Sequence, residues 1–170
     1  MNGKSGRKRY ILAATLVVCV ALGLGVLQGV ASATTTDVSW TIRGAYTCIQ
    51  QCAETNGKGT AHSQSKLLGQ MTWINQGTGA AGEPVCAGGF KLFEIWEFKA
   101  QNGKDTLDLM TTNDDLCFTA DPNVVTETAT FVITGGTGRF SGATGTGAFQ
   151  ITDLAHPQTE TGTFNASITY

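Results

Sequence analysis

The sequence predicts an all-β protein: a small closed antiparallel β-barrel of about eight strands with hairpin connections. Short segments alternate apolar and polar residues, which is typical of an antiparallel sheet with one face in water. Clusters of Gly, Asn and Asp separate these segments, and no stretch of 11 or more residues after Ala33 has helical apolar spacing. Closure is favoured because strands in chain order need no long crossover and a closed sheet has no exposed edge.

Residues 1–33 are predicted to be a signal peptide and residues 34–170 the barrel domain. The first ten residues carry Lys4 and Arg7-Lys8-Arg9, residues 11–27 are apolar without a charge, and Ala31-Ser32-Ala33 offers a cleavage site before Thr34. An uncleaved anchor is the alternative, because 17 apolar residues approach the length that spans a bilayer. We expect a secreted or extracytoplasmic protein with no stable membrane span after cleavage.

The predicted mature chain is acidic. Four of the 11 basic residues precede Ile11, so seven basic and 13 acidic residues remain, and the formal charge is near −6. This balance argues against nucleic acid as a partner.

Four cysteines remain after cleavage, and an even number in an exported protein predicts two structural disulfides. Three pairings of Cys48, Cys52, Cys86 and Cys117 are possible. Cys48 and Cys52 can pair with each other only if the chain turns between them, since an extended strand would separate their Cα atoms by about 13 Å. A zinc site is disfavoured because the ligand spacing is wrong and the chain has only His62 and His156.

The first half of the barrel domain is predicted to hold two strands. Residues 37–48 place Trp40, Ile42, Tyr46 and Cys48 on one face. Residues 53–66 are mostly small and polar and predict a long loop or a wide hairpin end. The second strand covers residues 67–76, and the glycine-rich segment 76–84 predicts a mobile break.

Residues 90–101 give the strongest strand, with apolar residues on both faces. Its even positions are predicted to face the core: Phe90, Leu92, Glu94, Trp96 and Phe98. The odd positions would then expose Phe93 and Ile95, which calls for cover by the N-terminal segment, a loop or another subunit. A homo-oligomer is therefore among the expected arrangements.

The second half begins with a tight turn at residues 101–104, where Asn102-Gly103 tolerates positive φ. A strand over 105–112 with Leu107 and Leu109 inward and a short segment around 116–118 follow. The last three strands are predicted over residues 125–134, 146–153 and 161–170. Their inward residues are Ala129, Phe131 and Ile133, then Gly147, Phe149 and Ile151, then Phe164, Ala166, Ile168 and Tyr170.

The glycine-rich stretch after Ile133 has two interpretations. Gly135, Gly136, Gly138 and Gly142 follow an apolar run, as in a dinucleotide-binding turn. Such a turn must feed a helix, but residues 143–147 are poor helix formers and only 28 residues follow Gly142. We therefore predict a barrel hairpin whose glycines supply positive φ, and no nucleotide or other cofactor.

The stretch from Thr130 to Gly145, TFVITGGTGRFSGATG, resembles the signature hairpin of the allene oxide cyclase barrel-like superfamily, which includes dirigent proteins. The closing strand from Gly162 to Tyr170 fits it too. This resemblance covers about the last third of the chain. It implies an eight-stranded barrel, often oligomeric, with a cavity for a hydrophobic small molecule. The family's catalytic positions have no match here, and the four cysteines depart from its pattern.

Glu94 is the residue most strongly indicated as functional. A carboxylate among Phe90, Leu92, Trp96 and Phe98 would be desolvated, which raises its pKa and suits it to proton transfer or ligand binding. The alternative is a hydrated Glu94 at the barrel mouth, or one paired with Arg43 or Lys91. The predicted ligand-binding set is Glu94, Trp96, Trp73, Trp40 and Tyr46.

Other candidates are weaker. His62 and His156 lie in polar segments, and Asp114 and Asp115 are interpreted as a solvated turn rather than an acid/base pair. No metal site is predicted. Three function classes stay open: a barrel that binds or guides a small hydrophobic molecule, a cyclase or isomerase, and a non-catalytic cell-surface protein. A cavity lined by Trp40, Trp73 and Trp96 would favour the first two classes, whereas a filled interior would favour the third.

Overall fold

The computed structural model describes residues 33–49 and 54–170. Residues 1–32 of the predicted signal peptide lie outside these residues. The described part of the barrel unit is built from strands and one short 3-10 helix, Gly138–Phe140. The strands are β1 (Thr35–Ile49), β2 (Glu54–His62), β3 (Gln70–Ala80), β4 (Phe90–Ala100), β5 (Thr106–Phe118), β6 (Val124–Gly136), β7 (Thr144–Ala155) and β8 (Gln158–Thr169).

These strands form one closed antiparallel barrel in chain order, β1 to β8. Each strand pairs with the next along the chain, and β8 closes the barrel by pairing with β1 through contacts such as Trp40 opposite Phe164. The predicted fold class is confirmed. Within the described residues, no helix has the length and hydropathy to span a membrane.

Residues 54–62 form β2, so the loop predicted over residues 53–66 was wrong. β2 lacks large inward side chains because the Trp73 ring lies over it: a Cβ added to Gly57 or Gly59 would lie 2.8 Å from this ring. The indole N–H of Trp73 donates to the carbonyl of Thr60 at 3.0 Å. The Trp73 ring of β3 therefore fills the interior space that large β2 side chains would otherwise fill. β2 itself pairs with β1 on one side and β3 on the other.

Two further boundaries differ from the sequence prediction. β3 continues to Ala80 through the predicted break, because residues as far as Ala80 pair with β4. The segments predicted around 105–112 and 116–118 are one strand, β5, with an irregularity in its pairing to β6 between Thr111 and Asn113.

The middle of the barrel is filled by aromatic rings. Phe164 lies at its centre, with ring centroids 5.1 Å from Trp40, 5.2 Å from Trp96 and 4.7 Å from Phe149. Phe98 and Phe131 complete the layer, and all six side chains are almost fully buried. Such offset and edge-to-face packing at 4.5–7 Å is favourable beyond the area it buries. The predicted inward faces of β4, β6, β7 and β8 are confirmed, except that Phe90 and Tyr170 are 41% exposed.

The glycine-rich stretch connects β6 and β7 as a hairpin. Gly135, Gly136, Gly138 and Gly142 all have positive φ, from 60° to 155°. The 3-10 helix Gly138–Phe140 buries the Phe140 ring at this end of the barrel, and β7 follows directly. This agrees with the predicted structural turn and not with a strand that feeds an α-helix.

A disulfide joins Cys86 to Cys117, with Cα atoms 5.9 Å apart. It ties the loop between β3 and β4 to the end of β5. Cys48 is also disulfide-bonded, and Cys52 lies outside the described residues. The Cys86–Cys117 bridge confirms one pair among the four predicted cysteines.

The outer face of β4 is apolar as predicted. Phe93 is 38% exposed and Ile95 is 52% exposed. Ile74 on the neighbouring β3 is also 52% exposed, so the three side chains form an uncovered patch on the outer wall.

Candidate functional site

A small cavity lies at the barrel end where the odd-numbered strands finish and the even-numbered strands begin. It encloses about 50 Å³. Its wall combines carboxyl groups, other polar groups and an apolar rim: Tyr46, Thr55, Asn75, Phe90, Leu92, Glu94, Leu116, Phe118, Val125, Glu127, Asp153 and Glu160. Six of the eight strands contribute an ionisable or aromatic group to this end of the barrel. The other two, β2 and β3, contribute Thr55 and Asn75.

Glu94 forms the floor of this cavity. It is 2% exposed and lies on the inward face of β4, directly before the aromatic layer. Its Oε2 accepts a 2.8 Å hydrogen bond from the Trp96 indole, and its Oε1 accepts from Asn75 Nδ2 at 3.1 Å and from Thr55 Oγ1 at 3.2 Å. Close approach to β3 is possible because the facing residue is Gly77. Glu94 is therefore held by fixed donors on both oxygens.

Four more carboxyl groups surround Glu94, and each of these residues is at most 6% exposed: Asp114, Glu127, Asp153 and Glu160. They come from β5, β6, β7 and β8 in turn. Asp153 and Glu160 are direct cross-strand partners. The end of the barrel thus gathers five of the 13 acidic residues of the chain.

The prediction of a solvated turn at Asp114 and Asp115 was wrong, because both residues are buried within β5. Leu107, Leu109 and Thr111 face inward at odd positions, and the irregularity between Thr111 and Asn113 shifts the inward positions to even numbers. This shift turns Asp114 into the barrel.

Asp115 belongs to a separate, compensated environment. It pairs with Lys91 Nζ at 2.7 Å and accepts a 3.0 Å hydrogen bond from the Val85 N–H. These contacts, the Lys91 hydrogen bond first, lower the pKa of Asp115 below its ordinary value. Lys91 is therefore engaged away from Glu94.

Several buried oxygens of the cavity have no hydrogen-bond partner. They are Oε1 of Glu127, Oδ1 of Asp153, Oε1 of Glu160 and the amide Oδ1 of Asn75, and both carboxyl oxygens of Asp114, which lies behind the cavity wall, are also without a donor. The oxygens of Asn75 and Glu160 flank the space above Gly57, where an added Cβ would lie 2.6 Å from Glu160 Oε1. Unpaired buried acceptors cost free energy, so this end of the barrel is suited to a donor or a cation.

Burial and mutual repulsion raise the pKa values of these groups. Burial is the first cause in each case, and the charge of Glu94 is the second for Asp114, whose pKa rises to about 8, and for Asp153, whose pKa rises to about 7. The pKa of Glu160 rises to about 9 through burial and the neighbouring Asp153. The pKa values of Glu94 and Glu127 are raised by burial too, against the hydrogen bonds that favour the Glu94 carboxylate.

Basic side chains do not offset this charge. In the part of the chain that the structure describes, the ion pairs are Lys91–Asp115 and Arg139–Asp105, and neither includes a cavity carboxyl group. Only protons shared between neighbours, or a bound cation, can relieve the repulsion.

The five predicted ligand-binding residues separate into two groups. Glu94 and Tyr46 line the cavity, and the Tyr46 hydroxyl donates to the Leu154 carbonyl at 3.3 Å. Trp40, Trp73 and Trp96 are packed in the aromatic interior and do not line it. Trp96 still contacts the site through its hydrogen bond to Glu94.

A wider groove of about 650 Å³ crosses the outer wall of β1, β2, β7 and β8. It is lined mainly by threonines with Arg43 and His62, and no carboxyl group or unpaired buried oxygen faces it. Among the described residues, buried carboxyl groups therefore line the end cavity and not this groove. Comparison with protein-family models, curated proteins and solved structures gave no match.

Proposed function

We propose that this protein is a secreted barrel that binds a small amphipathic molecule at its acidic end. The observation that carries the proposal is the end cavity, in which unpaired buried oxygens lie beneath an apolar rim. A hydrogen-bond-donating head, an ammonium or a hydroxyl group, enters the cavity. The hydrophobic remainder of the ligand rests on the rim.

The size of the cavity limits how the ligand binds. Pockets that enclose a drug-sized ligand have about 300–1,000 Å³, and this cavity has about 50 Å³. Only the polar head is enclosed. The aromatic layer leaves no Trp-lined chamber for a wholly buried hydrophobic molecule.

The rim supplies the apolar contact. Phe90 and Phe118 pack edge to face at 5.5 Å, and they are 41% and 54% exposed. Leu92, Leu116 and Val125 form a second buried apolar cluster below them. An alkyl chain on this surface gains up to about 0.8 kcal/mol per buried CH₂ group, which is about fourfold in affinity.

Calorimetric titration with alkylamines, alcohols and carboxylates of equal chain length tests the proposal. We expect the amine to bind most tightly, the alcohol less tightly and the carboxylate least, because the carboxylate meets like charge. Affinity for the amine should increase from propyl to hexyl. Absence of saturable binding by every amine at millimolar concentration would overturn the proposal.

Three variants locate the binding site. Glu160→Gln should weaken the binding of hexylamine about tenfold, and Phe118→Ser should flatten the dependence on chain length. Glu97→Gln, on the outer face of β4, is the matched control and should change neither. Equal binding by Glu160→Gln and the wild type would place the ligand elsewhere.

A second candidate is proton-transfer catalysis, as in a cyclase or isomerase. The pKa of Asp153 is about 7 and its side chain lines the cavity, which suits a general acid or base near neutral pH. Deuterium exchange at the α-carbon of a small cyclic ketone in D₂O, followed by NMR, tests it. Exchange should exceed the buffer rate and be lost in Asp153→Asn; exchange at the buffer rate would exclude enolisation of this probe.

The third class, a non-catalytic cell-surface protein, is supported by the filled aromatic interior. The end cavity argues for the first class, because a purely structural barrel gains nothing from five buried carboxyl groups. Kinship with the allene oxide cyclase barrel-like superfamily is also part of our proposal, and the closed eight-stranded barrel supports it.

Export and assembly complete the proposal. The Cys86–Cys117 disulfide is compatible with an extracellular protein, and Edman sequencing of the exported protein should begin at Thr34. The outer patch of Ile74, Phe93 and Ile95 supports a homo-oligomer. Sedimentation velocity of the wild type against Ile95→Lys tests that arrangement.

A further inference from the structure

We propose that Glu94, Asp114 and Glu127 form a binding site for a hard divalent cation, with Ca²⁺ as the best fit. Each residue offers one carboxylate oxygen, and these three atoms lie within 4.8 Å of one another. Ca²⁺ binds oxygens at about 2.3–2.6 Å, so one ion can contact all three after small side-chain adjustments. This site shares the end cavity with the head of the amphipathic ligand proposed above, so the two ligands would compete.

The donor set selects the class of metal. All three ligands are carboxylates, without a nitrogen or sulfur donor, and such sets suit Ca²⁺, Mg²⁺ and Mn²⁺ rather than Zn²⁺ or Cu²⁺. Mg²⁺ demands near-ideal octahedral geometry at about 2.0–2.1 Å, whereas Ca²⁺ accepts irregular sites and longer bonds. Three carboxylates brought together by three different strands, without chelating spacing in sequence, favour the more tolerant ion.

A second observation, apart from the acidic cluster itself, also indicates an absent ligand. The Asn75 side chain is neutral and 5% exposed, and its Nδ2 is fixed by donation to Glu94 Oε1 at 3.1 Å. Its Oδ1 has no partner and lies beside Oε1 of Glu160, above Gly57, in the cavity that Glu94 and Glu127 also line. The two neighbouring acceptors call for a donor between them. A water ligand of the cation would supply that donor.

The three carboxyl groups differ in their hydrogen-bond environments. Glu94 is oriented by Trp96, Thr55 and Asn75, which are the outer-shell hydrogen bonds that position a metal ligand. Asp114 is 1% exposed, and the carboxyl groups of Asp114 and Glu127 contact each other, whereas Glu94 is held by fixed N–H and O–H donors. The oxygens of Asp114 and Oε1 of Glu127 are the coordination positions in this proposal.

Charge and access favour an ion at this place. In residues 33–49 and 54–170 no Lys or Arg pairs with the cluster. Ionisation of all three buried carboxyl groups without a cation costs free energy, because like charges repel and are desolvated. A divalent ion would neutralise two of these three charges. Glu94 and Glu127 line the end cavity, which gives the ion a path from solvent.

Terbium luminescence tests the site directly. Tb³⁺ replaces Ca²⁺ at oxygen sites and emits when a nearby indole absorbs light, and the Trp96 indole is hydrogen-bonded to the ligand Glu94. We expect saturable Tb³⁺ emission upon tryptophan excitation, displaced by Ca²⁺, in the full mature protein with its disulfides intact. Trp96→Phe should reduce the emission and also weaken Ca²⁺ binding measured by calorimetry, because Glu94 Oε2 loses its indole donor.

Isosteric variants assign the ligands. Glu127→Gln and Asp114→Asn should each weaken Ca²⁺ binding at least about tenfold, and thermal unfolding should show that Ca²⁺ raises the Tm of the wild type but not of these variants. Glu97→Gln should bind like the wild type. Far-ultraviolet circular dichroism checks that each variant is folded.

Two results would overturn the inference. Wild-type protein that shows neither saturable Tb³⁺ emission nor a Ca²⁺-dependent rise in Tm at millimolar Ca²⁺ would mean that protons alone neutralise the cluster. Unchanged Ca²⁺ affinity in both folded variants would place the ion elsewhere. The alkylamine titration is done in metal-free buffer, so failure of one proposal is distinguishable from failure of the other.

Discussion

The indole N–H of Trp96 donates a 2.8 Å hydrogen bond to Oε2 of Glu94, two residues earlier on the same face of β4. This contact joins the aromatic interior to the acidic cavity. With Asn75 and Thr55 at Oε1, it gives Glu94 protein donors on both oxygens. The geometry therefore favours an ionised Glu94 as the anchor of the cluster, with protons or a cation held by its neighbours.

The first prediction is that Glu94→Gln destabilises the barrel. An amide has one acceptor oxygen, so its NH₂ group must face the donor of Trp96 or those of Asn75 and Thr55. We expect a loss of about 1–3 kcal/mol in the free energy of unfolding measured in urea. Glu97→Gln on the outer face should stay within about 0.5 kcal/mol of the wild type. Equal stability of the two variants would contradict this role for Glu94.

The second prediction is that stability falls as pH rises from about 5 to about 9. The folded pKa values of Asp153 and Glu160, about 7 and about 9, lie above their unfolded values. Their stabilising contribution is therefore complete below the unfolded pKa and is lost as pH rises through the folded pKa. Asp114, whose pKa is about 8, and Glu94 and Glu127, whose pKa values are also raised, add to the effect. Tyr46 stays neutral in this range because burial raises its pKa above the ordinary value. We expect a lower Tm at pH 9, in metal-free buffer.

Glu160→Gln is the control for this pH dependence. It removes the group with a pKa of about 9 and part of the repulsion that acts on Asp153. The variant should lose less stability than the wild type between pH 7 and pH 9, by an amount on the order of a few kcal/mol at most. Identical pH profiles for the two proteins would show that Glu160 is not the group responsible.

Most of the fold could be predicted from residue alternation, and most of the acidic site was contained in the same pattern. The inward positions of β6 are odd-numbered, so extending them back from Ala129 reaches Glu127. The same extension along β7 from Ile151 reaches Asp153, and along β8 from Phe164 it reaches Glu160. These three carboxyl groups were not predicted because the inward faces of β6, β7 and β8 were assigned from apolar residues and Gly147 alone.

Other features could not be read from the sequence. The pairing irregularity near Asn113 changes which residues of β5 face inward, so simple alternation from Leu109 would place Asp114 outside. β2 looked like a loop because the Trp73 ring occupies the space that its own side chains would otherwise fill. Both outcomes depend on the facing strand and not on the local sequence.

The third prediction concerns the disulfides. The Cys86–Cys117 bridge spans 31 residues, and closure of a loop of that length is worth about 3–4 kcal/mol in the chain-entropy account. The double variant Cys86→Ser/Cys117→Ser should lose about that much stability in urea. Thiol titration of the denatured, unreduced mature protein should detect no free sulfhydryl. Two or more would contradict the predicted pairing of all four cysteines.

The fourth prediction separates backbone strain from steric clash in the β6–β7 hairpin. Gly136 and Gly142 both have positive φ, 155° and 75°. A Cβ at Gly136 would collide with the Thr106 carbonyl oxygen and lie 2.9 Å from its carbon, whereas nothing lies within 4 Å of a Cβ at Gly142. Gly142→Ala should therefore cost about 1–2 kcal/mol from backbone strain alone.

Gly136→Ala adds the clash with the neighbouring strand to that strain, and we expect a loss above about 3 kcal/mol or a failure to fold. Thermal and urea unfolding of the two variants measure the difference. Because the hairpin feeds β7 and not a helix, neither substitution should change any affinity for nucleotides. A smaller loss for Gly136→Ala than for Gly142→Ala, or saturable binding of NAD or ATP by the wild type, would contradict the structural role assigned to this turn.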